Sequence, residues 1–327
     1  MTPMEPAASS PLDAVRRTHG AEACRQYFRA LQNSRKPYAL LQINDPHLTF
    51  GTFFLLLPGI RAGGDEAALS ERNRTAARLC RVILGGKKAN GTAGRTSLTG
   101  PVLGTLLWMF RTGAADDGLS GDFDQILDVS ASILLKKYRR SELIPTVAQL
   151  IFRRNRKGAY LHDLVWALFQ SRDPRALRSV ADYLRSPHQE DVRLARVLLH
   201  LPAENSPNGR RQYAFYLNWL DENRSSLYFT GENFNETSRP GVCSVNIAAK
   251  YLCRRVRPDS NSPLTPLTEA ERGCLPDFKK AGEKEQALLS SFSQKVRKKN
   301  PLYWNRWIRY PIRRQIAVAK NGGEGSV

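Results

Sequence analysis

The chain has 327 residues, 41% of them hydrophobic, and sets 50 Lys and Arg against 30 Asp and Glu for a formal charge of +20. That apolar content suffices for one large core or two ordinary domains, and the charge favours anionic partners over basic ones. Five cysteines (Cys24, Cys80, Cys243, Cys253, Cys274) contain no CxxC pair, which argues against a zinc knuckle and a disulfide framework and suits a reducing, cytoplasmic setting.

Residues 1–18 begin MTPMEPAASSPLD, without the basic and apolar regions of a secretory signal, and are read as a disordered start. Residues 19–121 read as a helical region. Cys24, Phe28 and Leu31 recur at helical spacing within Ala21–Asn33, and Asp45-Pro46 supplies a cap and first-turn proline for a helix through Leu57. Pro46–Ile60 is the most apolar stretch, at 15 residues. A membrane span needs about 20, so this predicts a buried helix and no transmembrane segment. Further helices are expected over Glu66–Leu84 and Pro101–Phe110. The glycine-rich 85–100 between them has Ala89 and Arg95 where a phosphate-cradling Walker loop needs Gly and Lys, and reads as a connection.

Residues 122–256 are more regular. Apolar stripes centre on Ile126, Ile144, Leu161, Leu177, Leu194 and Tyr213, so alternate helices repeat every 33–36 residues. Asp173-Pro174 opens one helix and Ser186-Pro187 separates two others. The segment DPRALRSVADYLRSPHQEDVRLARVLLHLP (173–202) is the clearest example, and residues 122–223 resemble HEAT-type α-helical repeats. The resemblance implies an all-α fold: a short HEAT-like α-solenoid, preceded by a helical N-terminal region and followed by a basic amphipathic C-terminal helix. It also implies a groove that receives a protein partner. Helical-repeat DNA glycosylases share such an architecture; that reading would require a Trp and an Asp on a basic face, as Trp166 with Asp163 or Trp219 with Asp221.

Within 225–243 the helical period stops, and Tyr228, Phe229, Asn233, Phe234 and Asn235 form a candidate loop site or a cap on the last repeat. Val245–Val256 reads as a helix, and proline-rich 257–287 as a linker. The basic aromatic segment 288–320 follows, with 321–327 read as disordered. From Gln286 to Gly323 there are nine Lys and Arg and no Asp or Glu. Asn300-Pro301 predicts a helix start. At about 100° per residue, Tyr303, Trp304, Trp307 and Tyr310 fall on one face, for docking or stacking, and Arg306, Arg309 and Arg313 on roughly the other. With Lys295, Arg297, Lys298, Lys299 and Arg314, these arginines are the candidate contacts to an anionic partner.

The five histidines have no ligand spacing, and no nucleophile motif or cofactor fingerprint is present, so no metal, cofactor or catalytic residue is assigned. The expectation is a non-enzymatic scaffold that binds a protein through its repeats and an anionic surface through its tail. Nucleic-acid binding and peripheral membrane association are the alternatives.

Overall fold

The computed structural model describes residues 9–60, 65–85, 100–201, 209–232, 236–238 and 240–321. These residues are all-α, with sixteen α-helices and one two-stranded sheet among them. They divide into two compact units, Met1–Ile151 and Phe152–Val327.

The first unit contains α1 (Pro11–Ser34), α2 (Lys36–Ile43), α3 (Phe50–Leu56), α4 (Glu71–Leu84), α5 (Gly100–Gly113), α6 (Gly121–Lys136) and the start of α7 (Ile144–Arg156). Its fold begins earlier than the composition suggests. Ser10 accepts a hydrogen bond from the Asp13 N–H at 3.2 Å, Pro11 occupies the first turn, and Leu12 and Asp13 are buried. The disordered start expected through residue 18 is therefore corrected: helix begins at Pro11.

Asp13 also explains a second correction. Its carboxylate accepts the Thr49 N–H at 2.9 Å, the Thr49 hydroxyl at 2.6 Å and the Thr52 hydroxyl. Thr49 thereby becomes the residue before α3, and Asp45 instead accepts from the His47 N–H in a turn. The helix expected from Asp45-Pro46 starts at Phe50, because a residue 36 positions away sets its origin. Around this junction Trp108 donates from Nε1 to the Leu48 carbonyl at 2.9 Å, and the Arg72 guanidinium lies 4.2 Å above the Trp108 ring. Phe50 stacks on Phe123 at 5.3 Å. Gly51 is required by packing, since a Cβ there would sit 2.0 Å from Asp116 Oδ2.

The second unit continues with α8 (His162–Gln170), α9 (Pro174–Ala181), α10 (Gln189–Leu198) and α11 (Gly209–Asn223). Helices thus occur at each of the six stripes read from 122 to 223. Asp173 caps α9 by accepting the Arg175 N–H at 2.9 Å. The limit between the two units falls inside α7, within the stretch that resembles HEAT repeats.

Beyond α11 the chain forms an antiparallel pair, β1 (Leu227–Phe229) with β2 (Cys243–Val245), in the register Leu227↔Val245 and Phe229↔Cys243. The helix expected over Val245–Val256 is confined to α12 (Ile247–Tyr251). Then come α13 (Glu269–Lys280), α14 (Glu283–Lys299), α15 (Pro301–Trp307) and α16 (Ile312–Lys320). The linker reading of 257–287 is corrected by α13. Thr268 accepts the Glu271 N–H at 3.3 Å and Glu271 accepts the Thr268 N–H at 2.8 Å, a reciprocal cap strong enough to start a helix that tolerates Pro276.

Replacing Asp13 by Ala strands the donors of Thr49 and Thr52 in a buried site. The Asp13→Ala variant is expected to lose about 2–3 kcal/mol of stability, read from its urea midpoint.

Candidate functional site

The helices α12 to α16 enclose a core of their own, formed by Tyr251, Leu252, Phe278, Leu289, Phe292, Trp304, Trp307, Ile308 and Ala319. Tyr251 stacks on Phe278 at 4.2 Å with nearly parallel rings, and Trp307 packs against Phe292 at 5.2 Å. Three buried polar side chains join these helices. Trp304 Nε1 donates to Ser293 Oγ at 2.7 Å, while the Ser293 hydroxyl donates to the Tyr251 carbonyl. Gln315 accepts from the Tyr251 hydroxyl at 2.8 Å and donates to the Ile308 and Tyr310 carbonyls at 3.2 and 2.8 Å.

The aromatics of the C-terminal segment are thus placed. Trp304 and Trp307 are buried, and Tyr303 and Tyr310 half-buried against the same core. Asn300 caps α15 through the Tyr303 N–H at 2.9 Å. The segment forms two helices, because α15 ends at Trp307 and Pro311, a residue that ends or kinks a helix, precedes the new start at Ile312.

The cations take the outer side. Lys295, Lys298, Lys299, Arg306, Arg309, Arg313, Arg314 and Lys320 are exposed, and Arg297 is half-buried. Among the described residues no carboxylate pairs with any of the nine. Arg297 braces the fold instead. It donates to the Leu252 and Cys253 carbonyls at 3.3 Å each, and its guanidinium lies 4.6 Å from the Trp304 ring. Arg314 covers Tyr310 at 4.1 Å.

A cleft of about 660 Å³ opens between the end of α11, α12 and α14. Its walls carry Asp221 and Glu222 on one side, Lys295, Arg297 and Lys298 on another, and Lys250 and Cys253 on α12 and the turn that follows. Burial pushes the Lys250 ammonium below its ordinary pKa, with Glu222 acting the other way. Burial also raises the Cys253 thiol, which lies 3.4 Å from Ser293 Oγ. Neither Lys250 nor Cys253 stands out in the sequence, because only the packing of α12 on α14 brings them beside the basic run.

The other candidates lie elsewhere. In the loop site Phe229 is buried and Tyr228 half-buried, both within β1, and Gln170 donates to the Gly231 carbonyl at 3.5 Å. Asn233, Phe234 and Asn235 lie outside the described residues. Trp166 is half-buried beside a small apolar recess, while Asp163 is exposed and accepts from the Tyr160 hydroxyl at 3.2 Å. Trp219 packs near Tyr216, and Asp221 lines the cleft. No cluster of His, Cys, Asp and Glu suited to a metal ion occurs among the described residues, and none of their helices is long and apolar enough to cross a membrane. Comparison with known protein families, with curated proteins and with solved structures finds no match to this chain.

A part-buried ion pair ties the turn after α12 to α13. Arg254 donates to both Glu271 carboxylate oxygens, at 2.8 and 2.7 Å, and to Thr265 at 3.0 Å. Burial alone would raise the Glu271 pKa, but the hydrogen bonds from Arg254 and Thr268 outweigh it and hold the carboxyl below its ordinary value. A depressed carboxylate stabilises the fold fully above the ordinary glutamate value of 4.5 and loses that contribution as pH falls through the depressed one. Acid titration of stability should therefore flatten in Glu271→Gln, which is less stable at neutral pH. Trp307 Nε1 has no acceptor among the described residues, so the indole serves as apolar bulk. Trp307→Ala should cost about 3–5 kcal/mol and Trp307→Phe distinctly less, compared by thermal unfolding.

Proposed function

We propose that this protein is a non-enzymatic binding scaffold whose C-terminal helices hold the phosphate backbone of a nucleic acid. One observation carries the reading: eight exposed cations, seven on α14–α16 and Arg309 in the turn before α16, stand without a carboxylate partner among the described residues, over a core that fixes the helices beneath them. Such a face neutralises phosphates and releases their counterions without needing base contacts. Burial of Trp304 and Trp307 disfavours both base stacking and interfacial insertion by these rings. That weighs against a membrane partner, for which Leu302 is the large apolar side chain left exposed on α15.

A protein-binding role for the upstream helices has its own support. Arg156 donates to Asp191 at 2.7 Å and Asn155 to the Glu190 carbonyl at 3.1 Å, both across 35 residues, the spacing of the sequence period. Links at the repeat distance are what stacked HEAT-like pairs require. Phe215 on α11 and Val197 on α10 are 68% and 53% exposed, an apolar offer to a protein partner. Proteins retained from extract by the native chain and lost with Phe215→Ser would support this surface; identical recovery would remove it.

Salt titration of binding to duplex, single strand and anionic liposomes tests the main reading. Nucleic-acid affinity is expected to fall steeply with salt. Joint replacement of Arg309, Arg313 and Arg314 by Ser should lower the slope of log affinity against log salt by about 2–3. Binding confined to liposomes, or a slope unchanged by the triple replacement, would overturn it.

A further inference from the structure

Lys250 lies on α12, 9% exposed, and its ammonium donates to Asn223 Oδ1 at 2.7 Å. Among the described residues no carboxylate pairs with it. A buried ammonium whose hydrogen-bond partner is a neutral amide keeps two further N–H donors, and here only the longer-range field of Glu222 offsets its charge. That charge faces the cleft of about 660 Å³, a size suited to a small organic ligand.

The surrounding groups narrow the chemistry. Lys295 and Lys298 reach the same cleft from α14 without ion pairs, whereas Arg297 is engaged with two carbonyls and Trp304. Three lysines lining one cleft suit a phosphate dianion, to which each ammonium can give a charge-assisted hydrogen bond. Asp221 and Glu222 at the end of α11 line the same cleft, and neither forms a salt bridge with these lysines, although Glu222 acts electrostatically on Lys250. Carboxylates so placed repel a second phosphate but accept hydrogen bonds from sugar hydroxyls, as acidic residues do for ribose.

We infer that the cleft between α11, α12 and α14 binds a sugar phosphate monoester no larger than a nucleoside monophosphate. The phosphate lies against Lys250, Lys295 and Lys298, and the hydroxyls against Asp221 and Glu222. The site shares Lys295 and Lys298 with the cationic face but uses none of Arg309, Arg313 and Arg314, and it does not depend on the nucleic-acid reading.

Calorimetry on the full chain with ribose 5-phosphate, adenosine monophosphate, inorganic phosphate and ribose tests it at fixed ionic strength. Both phosphate esters are expected to bind at least about tenfold more tightly than inorganic phosphate, and ribose not at all. Lys298→Ser, at the exposed rim, should weaken the esters by about tenfold, while Lys299→Ser, which does not line the cleft, leaves them unchanged. Lys250→Gln should abolish binding; because that position is buried, its melting temperature is measured alongside, and the rim pair decides the matter if it fails to fold. Esters that bind no better than inorganic phosphate, or equal effects of the two rim variants, would falsify the inference. The Arg309, Arg313 and Arg314 triple variant should retain ester binding, so failure of the nucleic-acid reading remains distinguishable from failure here.

Discussion

One hydroxyl group holds the C-terminal half of the second unit in register. Ser293 Oγ receives the Trp304 indole N–H and passes its own proton to the Tyr251 carbonyl, so α15, α14 and α12 meet at a single buried atom. With Trp304 fixed, Trp307 and Ile308 turn into the same core, one helical turn away. The arginines between and beyond them have nowhere to go but water. The cationic face is thus a consequence of how the tryptophans are buried, and the cleft beside Lys250 follows from the same packing of α12 on α14.

Much of the secondary structure was legible because it is written locally. Apolar residues at helical spacing locate the six helices from α6 to α11, and Asp173-Pro174 and Asn300-Pro301 mark two helix starts that the structure retains. The separation of Trp304 and Trp307 from Arg306 and Arg309 was also readable, since it needs only helical geometry. What failed locally was set from afar. Asp13 takes both the N–H and the hydroxyl of Thr49, and no pattern near Pro46 reveals that a residue 36 positions earlier will do so.

The segment 257–287 failed for a different reason. Its prolines suggested a linker, yet Thr268 and Glu271 stand at the spacing of a reciprocal helix cap, and that signal outweighs Pro276. The cationic half of the candidate site was visible as a charge run. Its cleft was not, because Lys250, Asp221 and Lys298 are brought together only by tertiary packing, and no single stretch of chain contains the three. Of what the resemblance to HEAT repeats implied, the all-α class is observed, while the limit between the compact units falls inside α7.

Eight exposed like charges between Lys295 and Lys320 also act on the molecule that bears them. Their mutual repulsion opposes the compact state of α14–α16, and none of the eight forms an ion pair with a carboxylate among the described residues. The hydrophobic contacts of Trp304 and Trp307 must hold the helices against that strain at low ionic strength. Counterions or a bound polyanion remove it, so occupancy and folding are thermodynamically linked. On the proposed reading, a bound polyanion would stabilise these C-terminal helices: the fold would be least comfortable in dilute buffer, alone, and most settled with its face covered.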